Sequence, residues 1–474
     1  MFVNRGIAWR TAVTGILAMA LMRPAVGQSG QQQTKVFTLE EAVDFAQKNY
    51  PALRASLERV RAAEAGVGVA RTSYLPRTDI LWQTNRATDN NITGLLIPNS
   101  VTAPITGPVT LSPSNQSAWG SAGGLLFSWE PFDFGYRGAK VDAARAAQNL
   151  ASAEASLTRL DVSVATVNGY LTLLAAEQTV RAAEADVERR ETFAKSVHVL
   201  VDNQLRAGAD ASRADAELAR ARVNLARAQQ QADISRAALA NILGIADQTV
   251  EVREIALLAL PAATPATSSV SANPFAQAQH ARVEESQSLV HGLDRSYYPK
   301  FYLQGEVMGR GSGIDPTGKF LGGNEGLGPD RANWATGVTV TLPLFDIFSI
   351  KSRKAAEAAN ERAEEARYDQ ALQDLTGQLR KAQASLDGAR KVAEYTPVEL
   401  RAARTTEMQE RARYQAGLAT LVDVSEAQSF LVQAEIDDAL ARLAVWQNLV
   451  SVAAAQGDLA PFLQSLREAT RGAR

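Results

Sequence analysis

The chain has 474 residues, 49 basic and 51 acidic side chains, a formal net charge of -2 and no cysteine. This balanced charge gives no electrostatic reason to expect nucleic-acid binding. The lack of cysteine excludes disulfides, thiol catalysis, cysteine-ligated metals and a lipid attached through cysteine.

The N-terminus has the pattern of a secretory signal peptide. Arg5 and Arg10 precede the apolar run Thr11–Met22, and small residues follow up to Gly27. We therefore predict that residues 1–27 are a signal peptide cleaved after Gly27, with a short membrane anchor as the alternative. No later stretch reaches the roughly 18–20 apolar residues of a transmembrane helix. The exported chain is then either periplasmic or a membrane β-barrel.

The rest of the chain contains the same structural unit twice. In each copy a helix leads through a Tyr-X-Pro-basic step into a strand, and a second strand is followed by a long Ala-rich helix, a turn and a return helix. The matched segments are Tyr74-Leu75-Pro76-Arg77 with Tyr297-Tyr298-Pro299-Lys300, and Pro131-Phe132-Asp133 with Pro343-Leu344-Phe345-Asp346. Such self-similarity predicts two repeats. We place them at residues 28–250 and 274–460, with an irregular linker at 251–273 and a C-terminal tail at 461–474.

Two Ala-rich stretches are predicted to be coiled-coil rods. Ala139–Leu205 contains no proline, so a continuous helix there would be about 100 Å long. Lys351–Gln415 is similar, although we expect Pro397 to kink or disrupt it. In both stretches apolar residues alternate at spacings of three and four, which indicates a coiled-coil seam. Examples are Leu157, Leu160, Val164, Val167, Leu171 and Leu174 in the first stretch, and Tyr368, Leu372, Leu375, Leu379, Ala382 and Leu386 in the second.

Shorter helices are predicted to pack beside the rods. The return helices are Ser212–Leu243 and Leu421–Gln456. A helix at Leu39–Thr72, opened by a Thr38 and Glu41 capping box, precedes the first strand. Its counterpart in the second repeat is Asn273–Asp294.

The strand-like stretches carry apolar residues on one face only. Trp334, Val338 and Val340 share one face of their strand, and Gly337 and Thr339 share the other. Strands of about ten residues with this alternation fit a lipid-exposed barrel with a wet lumen, and they also fit a soluble, half-buried sheet. Because lipid tolerates no open sheet edge, four strands per chain would have to share a barrel with other chains.

Four residues at chain turns have a structural interpretation. Asp133 and Asp346 follow proline at a strand-to-helix change, so we predict that they are helix N-caps. Gly208 and Gly417 lie between two helices, where a residue with positive φ ends a helix at little cost.

The order of these elements, twice over, resembles that of the TolC-type outer membrane efflux proteins across essentially the whole exported chain. The local matches are the Tyr297–Lys300 step, Phe132-Asp133-Phe134-Gly135-Tyr136-Arg137, and the turns Arg206-Ala207-Gly208 and Tyr414-Gln415-Ala416-Gly417-Leu418. The resemblance implies a mixed α/β membrane protein: a homotrimer with a shared twelve-stranded barrel in outer membrane lipid and a long coiled-coil tunnel in the periplasm. It implies passive conduction from an inner-membrane pump, reached through a periplasmic adaptor (membrane fusion) protein.

The same resemblance assigns roles to particular residues. Asp423 and Glu426 would form an acidic pore constriction, and Ala207, Gly208, Ala416, Gly417 and Leu418 would form adaptor-docking tips. Two positions depart from the family pattern: Ala419 and Ala214 stand where an arginine and an aspartate lock the closed tip of the best-known member.

No catalytic constellation is visible, and His198, His280 and His291 are not spaced as metal ligands. We therefore expect neither an enzyme nor a cofactor. The alternative function is a periplasmic coiled-coil adaptor or structural rod. That alternative leaves both amphipathic hairpins unexplained, and the turn after Leu205 is too tight for the lipoyl-like domain it would need.

Overall fold

The computed structural model describes residues 34–88, 115–253, 255–261, 269–315, 317 and 319–472. The predicted signal peptide, residues 1–27, lies outside the described residues. Within the described part, no helix is both long and apolar enough to cross a membrane.

The described chain alternates strand hairpins with helices, and its second half repeats the order of its first. In chain order the elements are β1 (Lys35–Phe37), α1 (Leu39–Asn49), α2 (Pro51–Thr72), β2 (Arg77–Thr88), β3 (Ser117–Phe132), α3 (Tyr136–Asp202), α4 (Gly208–Ile242), β4 (Val250–Val252), α5 (Pro274–Arg295), β5 (Lys300–Ser312), β6 (Arg331–Thr341), α6 (Asp346–Gln415), α7 (Leu421–Gln456) and α8 (Ala460–Gly472). Helix α2 with β2–β3 and α3–α4 forms one unit, and α5 with β5–β6 and α6–α7 forms the other.

The predicted first helix is two helices rather than one. Tyr50 has extended backbone angles between α1 and α2, and Pro51 is the first residue of α2. Proline lacks a backbone N–H and disfavours a helical conformation in the residue before it. The capping box is confirmed, because Thr38 and Glu41 exchange backbone-to-side-chain hydrogen bonds at the start of α1.

The two rods are confirmed, and α3 has 67 residues and α6 has 70. α6 runs through Pro397 without interruption, so the predicted disruption is wrong. Thr396, next to the proline, is buried against α7 and bonds to Asp438 at 3.2 Å. Packing of this kind holds the helix where one backbone hydrogen bond is missing.

Neither aspartate at the strand exits is the N-cap of its helix, which corrects the prediction. Gly135, with φ of +89°, is the N-cap of α3, and Phe345 is that of α6. Asp133 still stabilises the start of α3, because its carboxylate accepts hydrogen bonds from the backbone N–H groups of Gly135 and Arg137. Asp346 is the first residue of α6.

The strands form a four-stranded antiparallel sheet in the order β2-β3-β5-β6 at one end of the rods. The core lies part-way along the rods, where α1, the parallel β1–β4 pair and α8 pack on α3, α4 and α7. There Tyr170 donates its hydroxyl to the carbonyl of Phe37 at 3.1 Å. The predicted C-terminal tail is the helix α8, which buries Phe462 against Trp446.

Candidate functional site

The far end of the rods from the sheet carries two helical turns, which together we call the tip (residues 203–210 and 414–421). The α3–α4 connection spans five residues, Asn203–Ala207, which leaves no room for an inserted domain. Gly417 has φ of +80° as predicted, but Gly208 does not have a positive φ. In the first turn Gln204 takes that conformation, with φ of +61°, so the prediction for Gly208 is wrong. Gly208 instead begins α4.

Three polar side chains tie the two turns together. The guanidinium of Arg206 donates to the carbonyl of Tyr414 at 2.6 Å and lies 4.4 Å from the centre of its ring. Tyr414 in turn donates its hydroxyl to the Asp210 carboxylate at 3.2 Å. Burial, then the negative charge of Asp210 and this hydrogen bond, raise the pKa of Tyr414 to about 12. Tyr414 therefore remains a neutral donor at physiological pH.

An apolar cluster lies directly behind this tie. Phe193 meets Tyr414 edge to face at 5.3 Å between ring centres, and Leu421 and Val424 pack beside them. Ala214 and Ala419, the two positions that depart from the family pattern, are buried in the same cluster. At these positions the tip is held inside the chain by apolar packing rather than by an ion pair.

The predicted tip residues are exposed on the outer side of the turns. They are Ala207, Gly208, Ala416, Gly417 and Leu418. Leu205 and Leu418 each expose about 70% of their surface, one on each turn. The tip therefore presents apolar side chains that the described chain does not cover.

The proposed constriction residues, Asp423 and Glu426, are exposed on the first two turns of α7. Asp423 also caps the start of α7. Its carboxylate accepts hydrogen bonds from both the backbone N–H and the hydroxyl of Thr420, each at 2.8 Å. This capping box, led by the backbone hydrogen bond, lowers the pKa of Asp423. The spacing Thr420-X-X-Asp423 is a capping signature that could have been read in the sequence.

A buried charged cluster joins the two helical hairpins further from the tip. Arg190 on α3 donates to Asp186 at 2.9 Å, to Glu217 on α4 at 3.1 Å and to Ser429 on α7 at 3.0 Å. Arg189 forms a two-pronged ion pair with Glu435 of α7. Removing one partner of a buried pair costs about 3–5 kcal/mol. These contacts therefore fix how the α3–α4 hairpin sits against α7.

At the opposite end, one face of the sheet is apolar and exposed. Ile80, Leu125, Val307 and Trp334 are aligned across all four strands by the backbone register. Ile80 exposes 82% of its surface and Trp334 76%. The other face carries mostly small, polar and charged side chains, with Leu81, Leu126 and Met308 among them. A mainly apolar face and a mainly polar one are the division expected between lipid and an aqueous lumen.

Aromatic side chains gather where the sheet meets the rods. Phe134 stacks on Tyr298 with ring centres 5.3 Å apart, and the Lys300 amine lies 4.3 Å from the centre of the Tyr136 ring. Trp129 donates its indole N–H to the carbonyl of Tyr74 at 3.0 Å. Belts of Trp and Tyr are typical of the membrane–water boundary.

The described residues contain no group of side chains arranged to hold a metal ion. Exposed turns, an apolar exposed sheet face and long rods together are typical of a membrane protein whose helices extend far beyond its sheet.

Comparison with known proteins agrees with this class. Residues 42–245 and 268–458 match the family model described as outer membrane efflux protein. The chain belongs to the outer membrane efflux protein family. It is therefore an outer membrane channel of an efflux or secretion system that extends into the periplasm and conducts passively, and the TolC-type resemblance is confirmed.

Individual relatives are distant in sequence but similar over most of their length. Protein CyaE of Bordetella pertussis is 26% identical over 96% of this chain and 90% of its own. The CmeC outer membrane channel of Campylobacter jejuni has a TM-score of 0.71 at 18% identity, covering 91% of this chain and 89% of CmeC. The outer membrane protein VceC of Vibrio cholerae has a TM-score of 0.69 at 18% identity, covering 89% and 96%.

Proposed function

We propose that three copies of this chain form one channel, with a shared twelve-stranded barrel above a helical tunnel. The observation that carries this proposal is the sheet itself, which is apolar and exposed on one face and ends in β2 and β6. Neither edge strand has a second partner strand among the described residues. Lipid does not tolerate unpaired strand edges. Pairing β6 of each copy with β2 of the next satisfies both edges, and four strands from each of three copies give twelve.

The packing of the helices also supports a ring of three copies. α5 packs between α3 and α6, and Lys354 of α6 forms an ion pair with Asp294 of α5. α2 is the counterpart of α5 in the first repeat, yet within the described chain it packs on only one rod, α3. The repeat therefore predicts that α6 of a neighbouring copy covers the open side of α2.

Side chains at the start of α6 indicate where that contact falls. Phe345 exposes 88% of its surface, and Phe348 is also exposed. In the first repeat the corresponding junction is partly covered, because Phe134 stacks on Tyr298 and exposes only 37% of its surface. The counterpart of Tyr298 is Leu75, which is exposed. Phe345 and Phe348 of one copy would pack against Leu75 of the next.

The tip is proposed to dock a periplasmic adaptor that links the channel to an inner-membrane pump. The exposed apolar side chains of Leu205 and Leu418 support this role, with Ala207, Gly208, Ala416 and Gly417 beside them. Asp423 and Glu426 would line the narrow end behind the tip, two carboxylates from each copy.

The division of the chain is proposed along the same lines. Residues 28–250 and 274–460 would be the two repeats, 251–273 the linker and 461–474 the tail. The two segments matched by the family model, 42–245 and 268–458, fall within or close to these repeats.

Assembly can be tested by cysteine cross-linking, because the chain has no cysteine of its own. The pair Leu75→Cys and Phe348→Cys should give disulfide-linked trimers in the outer membrane fraction. Leu205→Cys with Phe348→Cys, at opposite ends of the rods, is the matched control and should not cross-link. A soluble monomer in the periplasm would contradict the channel. Trimers without the Leu75–Phe348 cross-link would contradict only that contact.

A further inference from the structure

A cavity of about 930 Å³ lies between the two rods, where α7 ends and α5 begins. Helices α5 and α7 both pack between α3 and α6, and the cavity opens beside their junction. Its volume falls within the range of about 300–1,000 Å³ that is typical of small-molecule sites. It shares no residue with the tip, with the buried charged cluster or with the sheet.

The junction beside the cavity is tightly built. Asn273, which is 1% exposed, donates its side-chain amide to the carbonyls of Ala454 and Ala455, each at 3.0 Å, at the end of α7. Its side-chain oxygen accepts from the backbone N–H of Phe275 at 2.9 Å, at the start of α5. Gly457 ends α7 so close to Asn273 that an added Cβ would lie 2.6 Å from the Asn273 Cα. The cavity is therefore a fixed part of the fold rather than a gap between loosely packed helices.

The cavity combines an apolar lining with two charged side chains. Leu160 and Val164 of α3 and Leu375 of α6 are buried or half-buried in it. Asp161 of α3 and Lys381 of α6 lie on opposite walls, and both are exposed. Neither charged group has a hydrogen bond or ion pair with any residue that the structure describes. The cavity thus presents one negative and one positive group that the described chain leaves available.

Asp161 is accessible to solvent but partly desolvated. Partial burial raises the pKa of its carboxyl group. A carboxylate in such surroundings is stabilised more by a nearby cation than a fully hydrated one is. Asp161 also borders a smaller groove beside α2, where Arg282 is paired with Glu154 at 2.8 Å and Arg59 is exposed to solvent. A ligand cation would therefore supply what the described residues do not.

The cavity opens on the side of α3 that faces away from α1 and β1. Ser163 accepts a hydrogen bond from Gln47 of α1 at 2.9 Å, and Tyr170 bonds to β1. Residues two apart on a helix point in directions about 200° apart. Asp161 and Asn168, which line the cavity, therefore point away from α1 and β1. In a closed ring of three copies α1 and β1 would lie outside the rods, so the cavity would face the lumen.

We propose that this cavity is a binding site in the tunnel wall for a small zwitterion with an apolar body, such as a short apolar peptide. The ammonium group of the ligand would pair with Asp161 and its carboxylate with Lys381. Its apolar body would lie against Leu160, Val164 and Leu375. The site itself lies within one chain. Only its access to passing substrates rests on the proposed function, in which three copies enclose a tunnel.

Binding can be measured by isothermal titration calorimetry on the wild-type trimer in phosphatidylcholine nanodiscs, with empty nanodiscs as the blank. The probe is the dipeptide phenylalanyl-phenylalanine, and we expect one site per chain. N-terminal acetylation removes the ammonium group of the dipeptide, and C-terminal amidation removes its carboxylate. Each modification should weaken binding by about tenfold or more. This comparison uses the unmutated protein, so it does not depend on the folding of any variant.

Matched variants assign each charge of the dipeptide to its partner. Asp161→Asn should weaken the binding of phenylalanyl-phenylalanine by about tenfold or more, but it should not weaken that of the acetylated dipeptide, which has no ammonium group. Lys381→Gln should weaken the zwitterion in the same way and spare the amidated dipeptide. Asp387→Asn and Lys391→Gln are the controls, because both residues are exposed on α6 outside the cavity, and they should change nothing.

Each further outcome decides the matter. Absence of binding to the wild type, or equal binding in Asp161→Asn and Lys381→Gln, would overturn the site while leaving the channel intact. Equal binding of all three dipeptides would show apolar partition without recognition of charge, and would also overturn it. A protein that binds the dipeptides with the expected charge effects but forms only monomers would overturn the proposed function and not the site.

Discussion

The hydroxyl of Tyr414 donates a hydrogen bond to the carboxylate of Asp210 at 3.2 Å, joining residues 204 positions apart in the chain. Arg206 adds a second link to the same tyrosine through its carbonyl and its ring. The two helical hairpins are thus tied at their ends within one chain. The tie lies beside the buried Ala214 and Ala419, which pack in the same apolar cluster as Tyr414.

Removing the hydroxyl should loosen the tip. Tyr414→Phe keeps the ring in its apolar cluster but loses one hydrogen bond, worth about 1 kcal/mol, which corresponds to roughly fivefold in local opening. We expect hydrogen exchange of residues 203–210 and 416–422 to accelerate by about that factor. Tyr395→Phe, an exposed tyrosine on the same helix, is the control and should change nothing there. Equal exchange in wild type and Tyr414→Phe would show that apolar packing alone holds the turns.

The sequence predicts the large elements well because their signals are local and repeated. α7 has the predicted bounds, and both rods follow from long Ala-rich runs with alternating apolar spacing, although only the first run is free of proline. The two helix boundaries that the sequence does not predict correctly each depend on a single proline. Pro51 splits the first helix, and Pro397 fails to split α6 because packing outweighs its cost.

The tip was predicted only in outline. The exposed positions of the two turns, Ala207–Gly208 and Ala416–Leu418, could be placed because each turn follows a long helix. The tie could not, since Arg206, Asp210 and Tyr414 meet only after both hairpins have folded back and packed together. Gln204 takes the left-handed conformation expected at Gly208, although glycine adopts it more readily than glutamine. The reason is position: α3 ends at Asp202, and Gly208 already belongs to α4.

A pH dependence is expected where α3 meets α4. The His198 ring nitrogen lies 2.9 Å from Asp215, and this hydrogen bond and the Asp215 charge, with a smaller effect of Asp202, raise the pKa of His198. A group whose pKa is raised on folding contributes its full stabilisation of the folded state below its pKa in the unfolded chain, which is about 6.5 for histidine. That stabilisation is lost as the pH rises through the folded value.

The protection of amides near His198 and Asp215 should therefore fall as the pH rises from 6 to 8.5, after correction for intrinsic exchange. Because both side chains are half exposed, the effect should be small. His198→Gln should remove the pH dependence while leaving the protection at Arg190 unchanged. A wild type whose protection rises with pH would reverse the sign and contradict the assignment.

Adaptor docking is best probed at Gly208. An added Cβ there meets no atom within 4 Å, and the residue does not have a positive φ, so Gly208→Trp adds bulk without backbone strain. We expect export to be abolished while trimers remain intact on a detergent gel. Gly208→Ala is the control and should export normally.

Gly417 needs a different comparison, because its φ of +80° makes any L-residue strained by about 1–2 kcal/mol. Asparagine adopts this conformation more readily than other L-residues. Comparing Gly417→Asn with Gly417→Trp should therefore separate the effect of backbone strain from that of side-chain bulk. Unchanged export in Gly208→Trp would remove the first turn from the docking surface, and loss of trimers would assign Gly208 to folding.

The last prediction concerns Asp423 and Glu426. In a trimer, two carboxylates from each copy would surround the axis, and two unit charges about 8 Å apart repel by about 0.5 kcal/mol in water and about 2 kcal/mol at an effective dielectric near 20. The two effects on Asp423 oppose each other, because its Thr420 hydrogen bonds lower its pKa while neighbouring carboxylates would raise it.

The closed pore should therefore select cations and be blocked from the periplasmic side by multivalent cations. Asp423→Asn with Glu426→Gln should weaken that block by tenfold or more in planar-bilayer recordings. Thr420→Val separates the two roles of Asp423, since it removes the hydroxyl donor but keeps the carboxylate, and it should leave the block nearly intact. If the block and the selectivity persist in the double variant, these carboxylates face solvent or a neighbouring helix rather than the pore.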